Sequence, residues 1–373
     1  MIKQLRKMKY TLICIFLVTT ALFIGGCNNE SNGKTQEVTQ EKKQDSTKFD
    51  FLDQNGHEVK LNGTVNRIVC LEHHTLDTLT TLGDQDKVVG VIQQWDKLLG
   101  SYMKEVFPGI ENLPTPGALD SCNVEEVAKL NPDLVIVAAQ FKSEYIKQLE
   151  DLGIPVMVVT LHDGGKQEEA LSPELNNADL SYTRGMEWVV KKLGEITDKE
   201  DRANKLWGFT IANRKYVEDS LKDVPKDKRV RIFIANPNNK TYGSDKYVGC
   251  QLERAGATNV AAKEIKGYKQ VNFEKIVQWN PDVILVQDRY KGVYDNILKN
   301  EKWKNMKAVK DNNIILTPYW TKPWGHPTLG GIAVGELWLA YKFYPDKIKK
   351  EEVEKRVKEF YKRFYGVEFK GII

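Results

Sequence analysis

The sequence predicts an α/β protein built from two similar lobes, each with a mainly parallel sheet. Three observations support this prediction. One sequence motif occurs twice, each copy leads into an unbroken apolar run, and a long stretch without proline separates the copies. At 373 residues the chain also exceeds the size of about 100–150 residues that is commonest for single domains.

The repeated motif gives the strongest evidence for two lobes. Residues 123–137 read NVEEVAKLNPDLVIV, and residues 272–286 read NFEKIVQWNPDVILV. The Asn, the Glu, the Asn-Pro-Asp and the apolar run fall at equivalent positions. Each copy predicts a short amphipathic helix, a break that the proline imposes, and a strand buried on both faces.

The neighbouring segments complete two Rossmann-like lobes, because strands that alternate with helical segments form parallel sheets. A β-hairpin is expected at residues 48–61 around Asn55-Gly56. Buried strands of the first lobe are expected at residues 67–71, 88–92, 134–138 and 156–159. Those of the second lobe are expected at residues 230–235, 283–286 and 314–316.

A long inter-lobe helix is predicted between the lobes. Residues 182–221 contain no proline and have apolar residues at helical spacing, so we expect one helical connection, with room for a kink. A charged amphipathic helix is expected at residues 349–365. The predicted organisation is a signal peptide at 1–26, a tether at 27–47, lobes at 48–175 and 225–345, the connection at 176–224, and a C-terminal helix and tail at 346–373.

The N-terminus predicts export and lipid anchoring. A basic segment precedes an apolar stretch that is too short for a spanning helix of about 20 residues, which is typical of a signal peptide. Ile24-Gly25-Gly26-Cys27 resembles a bacterial lipobox, in which Cys27 carries the lipid; the alternative is an ordinary signal peptide with an incidental cysteine. The polar residues 28–48 suit a flexible tether. We therefore expect an extracytoplasmic protein held at the cell membrane.

Composition and motifs exclude several classes of function. The leader holds four of the 55 basic residues and no acidic one, so the chain after it is neutral and has no basic block for nucleic acid. Cys70, Cys122 and Cys250 match neither a disulfide framework nor a zinc site, and whether any of them pair stays open. No nucleophile elbow, phosphate loop, H-E-x-x-H or C-x-x-C is present, so we expect no enzyme and no cofactor.

These features together resemble a known family, the class III periplasmic binding proteins that receive siderophores, haem, cobalamin and other metal chelates. The resemblance covers residues 48–345 and rests on the lipobox, the two motifs, the inter-lobe helix, and the segments NRIVCL, LGDQDKVVGV and VGCQLERAGATNV. The segments HPTLGGIAVGELWLAYKFYPDKI and EFYKRFYGVEF resemble a subgroup associated with iron complexes and with molybdate or tungstate. The family implies a monomer that delivers its ligand to an ABC permease and its ATPase.

The resemblance also implies a role for Glu125 and Glu274, which occupy equivalent positions in the two motifs. In the family, such a glutamate on each lobe meets arginines of the permease. A simpler interpretation is that each acid stabilises the N-terminus of its helix, by about 0.3–1 kcal/mol. Both roles can hold together.

The ligand is expected between the lobes, beyond the carboxyl ends of the strands. The candidate contacts follow those ends, as Glu72 and Asp163 also do in the first lobe, or lie in the second lobe, several of them in the loop PYWTKPWGHP. They are His73, His74, Trp95, Gln140, Phe141, His162, Tyr242, Tyr247, Arg289, Tyr290, Trp320, Trp324 and His326. Ordinary packing is the alternative for each of them. His57 lies in the predicted hairpin and is interpreted as a surface residue.

Two classes of ligand fit these residues. A metal chelate would place its organic part on the aromatic rings and its oxygens on Arg289, with His326 or His74 available as direct metal ligands. A bare oxyanion such as molybdate or tungstate would need converging N–H and hydroxyl donors with little apolar lining. The aromatic loop favours the chelate modestly. A receptor that senses the ligand without transporting it is a further alternative.

Overall fold

The computed structural model describes residues 48–164, 175 and 177–373. The predicted leader and tether, including Cys27, lie outside the described residues. Within these ranges, none of the helices is both long enough and apolar enough to cross a membrane.

The first lobe has a four-stranded parallel sheet. Its elements are the hairpin strands β1 (Phe49–Leu52) and β2 (Glu58–Leu61), the sheet strands β3 (Ile68–Cys70), β4 (Val88–Val91), β5 (Leu134–Ala138) and β6 (Val156–Val159), and the helices α1 (His73–Leu82), α2 (Trp95–Leu99), α3 (Met103–Val106), α4 (Val124–Lys129) and α5 (Ser143–Asp151). The strand order is β4-β3-β5-β6, and Cys70 pairs with Val91 and Ile136. Every residue of β5 and β6 is buried, as the unbroken apolar runs predict.

The second lobe repeats this plan. Its strands are β7 (Val230–Ala235), β8 (Lys240–Tyr242), β9 (Ala257–Asn259), β10 (Tyr268–Gln270), β11 (Val283–Val286) and β12 (Ile314–Leu316). Six helices belong to this lobe or come after it in the chain: α8 (Tyr247–Arg254), α9 (Phe273–Trp279), α10 (Lys291–Lys299), α11 (Lys307–Lys310), α12 (Glu336–Phe343) and α13 (Lys350–Phe360). The parallel sheet has the order β12-β11-β7-β9, while β8 and β10 form a small antiparallel pair. The fold class predicted from the sequence, two α/β lobes with parallel sheets, is confirmed.

The repeated motif has the same structural task in both lobes. The Asp133 carboxylate accepts a hydrogen bond from the backbone N–H of Arg67 at 2.9 Å, and Asp282 accepts one from Arg231 at 3.0 Å. Asn131 and Asn280, the asparagines of the two Asn-Pro-Asp segments, adopt left-handed conformations, with φ of 45° and 39°. Asparagine tolerates this conformation better than most residues do. The motif therefore ends a helix and fixes the start of the neighbouring strand in each lobe.

The connection between the lobes differs from the single helix that was predicted. It consists of two helices, α6 (Ala178–Ile196) and α7 (Glu200–Leu221), separated at residues 197–199, where Asp198 has a φ of 60°. The Arg214 guanidinium donates to Thr183 Oγ1 at 2.7 Å, so the two helices lie antiparallel. The prediction missed this hairpin because no glycine or proline marks its turn.

The C-terminal helix was predicted at residues 349–365. The structure has α13 there, followed by one wider π-helical turn from Tyr361 to Tyr365. A second π-helical turn, Gly331–Gly335, leads into α12. Cys70, Cys122 and Cys250 are free thiols, so none of these three pair.

A glycine contact between α6 and the first lobe gives a direct test of this packing. A methyl group at Gly185 would lie 2.3 Å from the Cα of His162, so Gly185→Ala must displace the backbone and should lower the free energy of unfolding by about 1–3 kcal/mol or more. Gly208 on α7 has open space around it, and Gly208→Ala should raise that free energy by roughly 0.5–1 kcal/mol. Chemical denaturation of both variants measures the difference, and equal effects would contradict the packing.

Candidate functional site

A pocket of about 250 Å³ lies at the carboxyl ends of β3, β5 and β6. Parallel strands expose their last residues and the following loops at this edge of a sheet, where open α/β folds bind ligands. The lining residues come from the first lobe, except for His326 of the second. They are Glu72, His73, His74, Leu119, Ala138, Ala139, Gln140, Val159, Thr160, Leu161 and His326.

The Glu72 carboxylate organises the start of α1. One oxygen accepts from the backbone N–H of His74 at 3.1 Å and lies 2.8 Å from His74 Nδ1. The other accepts from the backbone N–H of Thr75 at 2.6 Å and from its hydroxyl at 2.7 Å. This is an N-cap arrangement, which satisfies backbone donors that have no partner within the helix. The carboxylate also fixes the orientation of the His74 ring.

Three imidazoles and an indole converge on the pocket. The rings of His73 and His74 have centroids 3.9 Å apart. The Trp324 ring lies 5.8 Å from His74, and the His326 ring lies 5.9 Å from it on another side. The loop of residues 319–328, called the site loop below, therefore covers the first turn of α1.

Gln54 positions the opposite wall. Its side-chain oxygen accepts from the backbone N–H groups of Thr160 at 3.0 Å and Leu161 at 2.9 Å, and its amide donates to Gly185. The β1–β2 hairpin thus holds the end of β6 against α6. The hairpin of the first lobe therefore contributes to the geometry of the pocket wall.

The pocket histidines are uncharged. Burial lowers the pKa of His73 to about 3, with a further contribution from the neighbouring His74. Burial and the Arg289 guanidinium lower the pKa of His74 to about 3. Burial, followed by the Lys246 ammonium, holds the pKa of His326 well below its usual range. Desolvation disfavours a charged imidazole, and nearby cations act in the same direction.

Several polar groups around the pocket have few or no hydrogen-bond partners in the protein. Across residues 48–164 and 177–373, His73 Nδ1, Trp324 Nε1 and His326 Nδ1 are buried without a hydrogen bond. The Lys246 ammonium forms no hydrogen bond or salt bridge there, and the Arg289 guanidinium donates only its Nε–H, to Gln287 at 2.8 Å. Buried polar atoms in folded proteins are normally paired, so this set indicates a ligand with oxygen acceptors.

A metal ion fits the same residues less well. Donor atoms of Glu72, His73 and His74 lie within 4.8 Å of one another. However, Glu72 already accepts four hydrogen bonds, and binding an ion would break the cap of α1. The imidazole nitrogens would be the remaining ligands, and a metal role for His74 or His326 stays a prediction.

The structure brings some predicted contacts together and places others elsewhere. His73, His74, Gln140 and His326 line the pocket, and Trp324 adjoins it. His162 lies beside it, 5.9 Å from the ring of Tyr182. Four predicted aromatic contacts are buried in the core instead of facing the pocket: Trp95, Phe141, Tyr247 and Trp320.

Three predicted residues form an outer wall on the second lobe. The Arg289 guanidinium lies 4.7 Å from the centre of the Trp324 ring and 5.4 Å from that of Tyr290. Tyr242 stacks on Tyr268 at 4.5 Å. Sequence reasoning missed Lys246 and Tyr182, whose ring lies 6.2 Å from His326, because neither follows the end of a predicted strand.

The two motif glutamates are solvent-exposed. Glu125 lies in the first turn of α4 and Glu274 in the first turn of α9. Neither side chain forms a hydrogen bond or ion pair within the described part of the chain. The side chains of Asn123 and Asn272 cap these helices, so the glutamates are not needed as caps.

The chain matches a family model described as periplasmic binding protein over residues 68–319. It belongs to the periplasmic binding protein family. The chain is 41% identical to the molybdate-binding protein MolA of Haemophilus influenzae, covering 86% of this chain and 92% of that protein. A structure of MolA bound to molybdate superimposes with a TM-score of 0.82 over 86% of this chain and 99% of that one. The petrobactin-binding protein YclQ of Bacillus subtilis is 27% identical, over 82% of this chain and 90% of its own.

The uncharged histidines predict a pH dependence of stability for this binding protein. Their pKa is about 3 in the folded chain but ordinary, about 6.5, when unfolded, so the unfolded chain binds more protons between these values. Stability should therefore be complete above pH 6.5 and should fall by more than about 1 kcal/mol between pH 6 and pH 5. Denaturation at both pH values measures this.

His73→Gln with His74→Gln is the control for that experiment. The double variant should show a smaller loss over the same interval, because neither side chain can take up a proton. An equal loss in both proteins would place the titrating groups elsewhere.

Proposed function

We propose that this chain is the extracytoplasmic receptor of an ABC importer and that it binds a small tetrahedral oxyanion of the molybdate or tungstate type. The observation that carries the ligand class is the pairing of three uncharged pocket histidines with two cations, Lys246 and Arg289, whose positive charges act on them. Glu72 is the single carboxylate among the lining residues, and α1 occupies it fully. Lys246 and Arg289 are left to balance a dianion.

The size of the pocket supports an inorganic anion. At about 250 Å³ it is smaller than the range of about 300–1,000 Å³ that is usual for drug-sized ligands. The similarity to a molybdate-binding protein over most of both chains supports the same ligand class. Both arguments reverse the modest preference for a chelate that the aromatic loop suggests in the sequence.

The outer wall keeps a metal chelate as the second candidate. A guanidinium between two rings, next to a pair of stacked tyrosines, could hold an anionic aromatic molecule outside the pocket. Native mass spectrometry with elemental analysis of the protein from its own host separates the two. Molybdenum or tungsten without an organic mass supports the oxyanion, whereas an organic mass with iron, cobalt or nickel supports the chelate.

The cations give the sharpest test of the oxyanion. Removing one charged donor costs about 1.5–3 kcal/mol, so Arg289→Met and Lys246→Met should each weaken molybdate binding by roughly ten- to a hundredfold. Isothermal titration calorimetry of the purified chain measures this. Lys291→Met is the control, because Lys291 is exposed and pairs with Asp295 at 2.7 Å. An unaltered affinity in both site variants would refute the oxyanion site.

Delivery to a permease is the second part of the proposal. Two exposed, unpaired glutamates at equivalent places on the lobes suit a permease with two equivalent sockets. Glu125→Ala with Glu274→Ala should abolish uptake in cells and leave the affinity for molybdate unchanged, because neither residue lines the pocket.

The matched control replaces Glu144 and Glu301, which are exposed acids in the first turns of other helices, with alanine. It should retain uptake. Full uptake in the Glu125 and Glu274 variant would refute docking through these residues. A chain that binds molybdate but whose deletion leaves uptake intact would favour a sensing receptor.

The lipid anchor belongs to the same proposal and rests on the sequence Ile24-Gly25-Gly26-Cys27. Incorporation of a labelled fatty acid tests it, and Cys27→Ala should abolish the label. Labelling that persists in this variant would contradict the anchor.

A further inference from the structure

A buried ion pair joins the two lobes directly behind the pocket. Lys322 Nζ lies 2.7 Å from Asp77 Oδ2, and both side chains are at most 1% exposed. The hydroxyls of Tyr365 and Tyr102 donate to the other Asp77 oxygen at 2.6 Å and 2.9 Å. Lys322 also lies 4.7 Å from the centre of the Tyr102 ring. We call these four residues the latch.

The latch connects three parts of the chain that are distant in sequence. Asp77 is one helical turn beyond His73 on α1, and Lys322 belongs to the site loop two residues before Trp324. Tyr365 ends the π-helical turn after α13. The C-terminal segment, which does not line the pocket, is thus bonded to the helix that carries the pocket histidines.

The backbone at Lys322 shows that the loop is held in place. Its φ is 44°, in the left-handed region that a residue with a side chain adopts at a cost of order 1–3 kcal/mol unless its surroundings compensate. The amine reaches Asp77 from this conformation. Other loop contacts, such as the stacking of Tyr319 on Tyr102 at 4.9 Å, act in the same direction.

Stability alone is a weak reason to bury such a pair. Replacing a buried ion pair with apolar groups of similar volume is often neutral or stabilising, whereas removing one partner is strongly destabilising. A buried pair can instead specify one arrangement of the elements that carry it. We propose that the Asp77–Lys322 pair positions the site loop, so that Trp324 and His326 face His73 and His74 across the pocket.

A second buried ion pair provides a matched control. Arg214 Nη2 lies 2.6 Å from Glu336 Oε1, both side chains are buried, and the Tyr247 hydroxyl donates to the same carboxylate at 3.1 Å. This pair joins α7 to α12 and has no member on α1 or the site loop. It is therefore a buried ion pair like the one in the latch, but it does not connect α1 to the site loop.

The experiment compares Asp77→Asn with Lys322→Met against Arg214→Met with Glu336→Gln in the full chain. Each double variant removes both charges and leaves no isolated one. The first should weaken molybdate binding about tenfold, and the second should bind as the unaltered chain does. Denaturation checks that the two variants lose comparable stability.

A ligand-free spectrum makes the test independent of the proposed function, on which the affinity measurement rests. The chain has five histidines, so histidine-selective isotope labelling gives five imidazole signals, and His326→Gln assigns the one from the site loop. That signal should shift or broaden in the latch variant and stay unaltered in the control variant.

The outcomes separate the two proposals. If the unaltered chain does not bind molybdate but the His326 signal moves only in the latch variant, the oxyanion proposal fails and positioning stands. Unchanged affinity and an unchanged His326 signal in the latch variant overturn positioning. If that variant does not fold, Tyr365→Phe removes one hydroxyl from Asp77 and leaves the ion pair. It should weaken binding about threefold, and an unaltered affinity and signal overturn the inference.

Discussion

The geometry of the pocket depends on one carboxylate. Glu72 closes the first turn of α1 through backbone and side-chain hydrogen bonds, and the same bonds set the direction of the His74 ring. Because α1 supplies donors to both carboxylate oxygens, the positive end of the helix partly balances the charge of Glu72. Without it, α1 would begin with unpaired donors and the histidines could turn. The helix cap and the binding site are therefore one structure, and a change at Glu72 would affect both.

Much of the fold is readable from the sequence because its rules are local. The Asn-Pro-Asp motif combines a proline that ends the helix, an asparagine that tolerates a positive φ, and an aspartate that accepts from the neighbouring strand. Such patterns predict the order of helix and strand around each motif, but β8, β9 and β10 of the second lobe, each of which has only three residues, were not predicted. The two-helix connection was missed because residues 197–199 turn on an Asp at a positive φ, and a long-range hydrogen bond from Thr197 Oγ1 to Asp84 at 2.9 Å holds that turn. Tertiary contacts therefore stabilise this turn, and the conformational propensities of its residues do not predict it.

His326 was predicted from the aromatic loop, whereas the other predicted residues that line the pocket come from one rule, that ligand contacts follow strand ends directly. His73, His74 and Gln140 meet that rule and line the pocket. Phe141 meets the rule as well, but its ring is buried beside Tyr145, because the loop turns its side chain into the core. The rule could not find Lys246, Asp77 or Lys322. Lys246 matters because its ammonium has no partner, and Asp77 and Lys322 matter because they pair across 245 residues of sequence. Neither property leaves a periodic or local pattern in the sequence.

The electrostatics of the pocket decide between the ligand classes more firmly than its aromatic content does. An aromatic ring can pack in the core or contact a ligand, and the rings of Trp95 and Trp320 pack in the core. A cation without a salt bridge beside buried, uncharged histidines has fewer explanations, because burying polar groups without partners is costly. With Nδ1 of His74 held by Glu72, its Nε2 carries no proton while the ring is neutral. A bound dianion would raise the pKa of that ring and draw a proton to Nε2. Affinity for an oxyanion should then increase as the pH falls, which links the proton and the anion in one binding event.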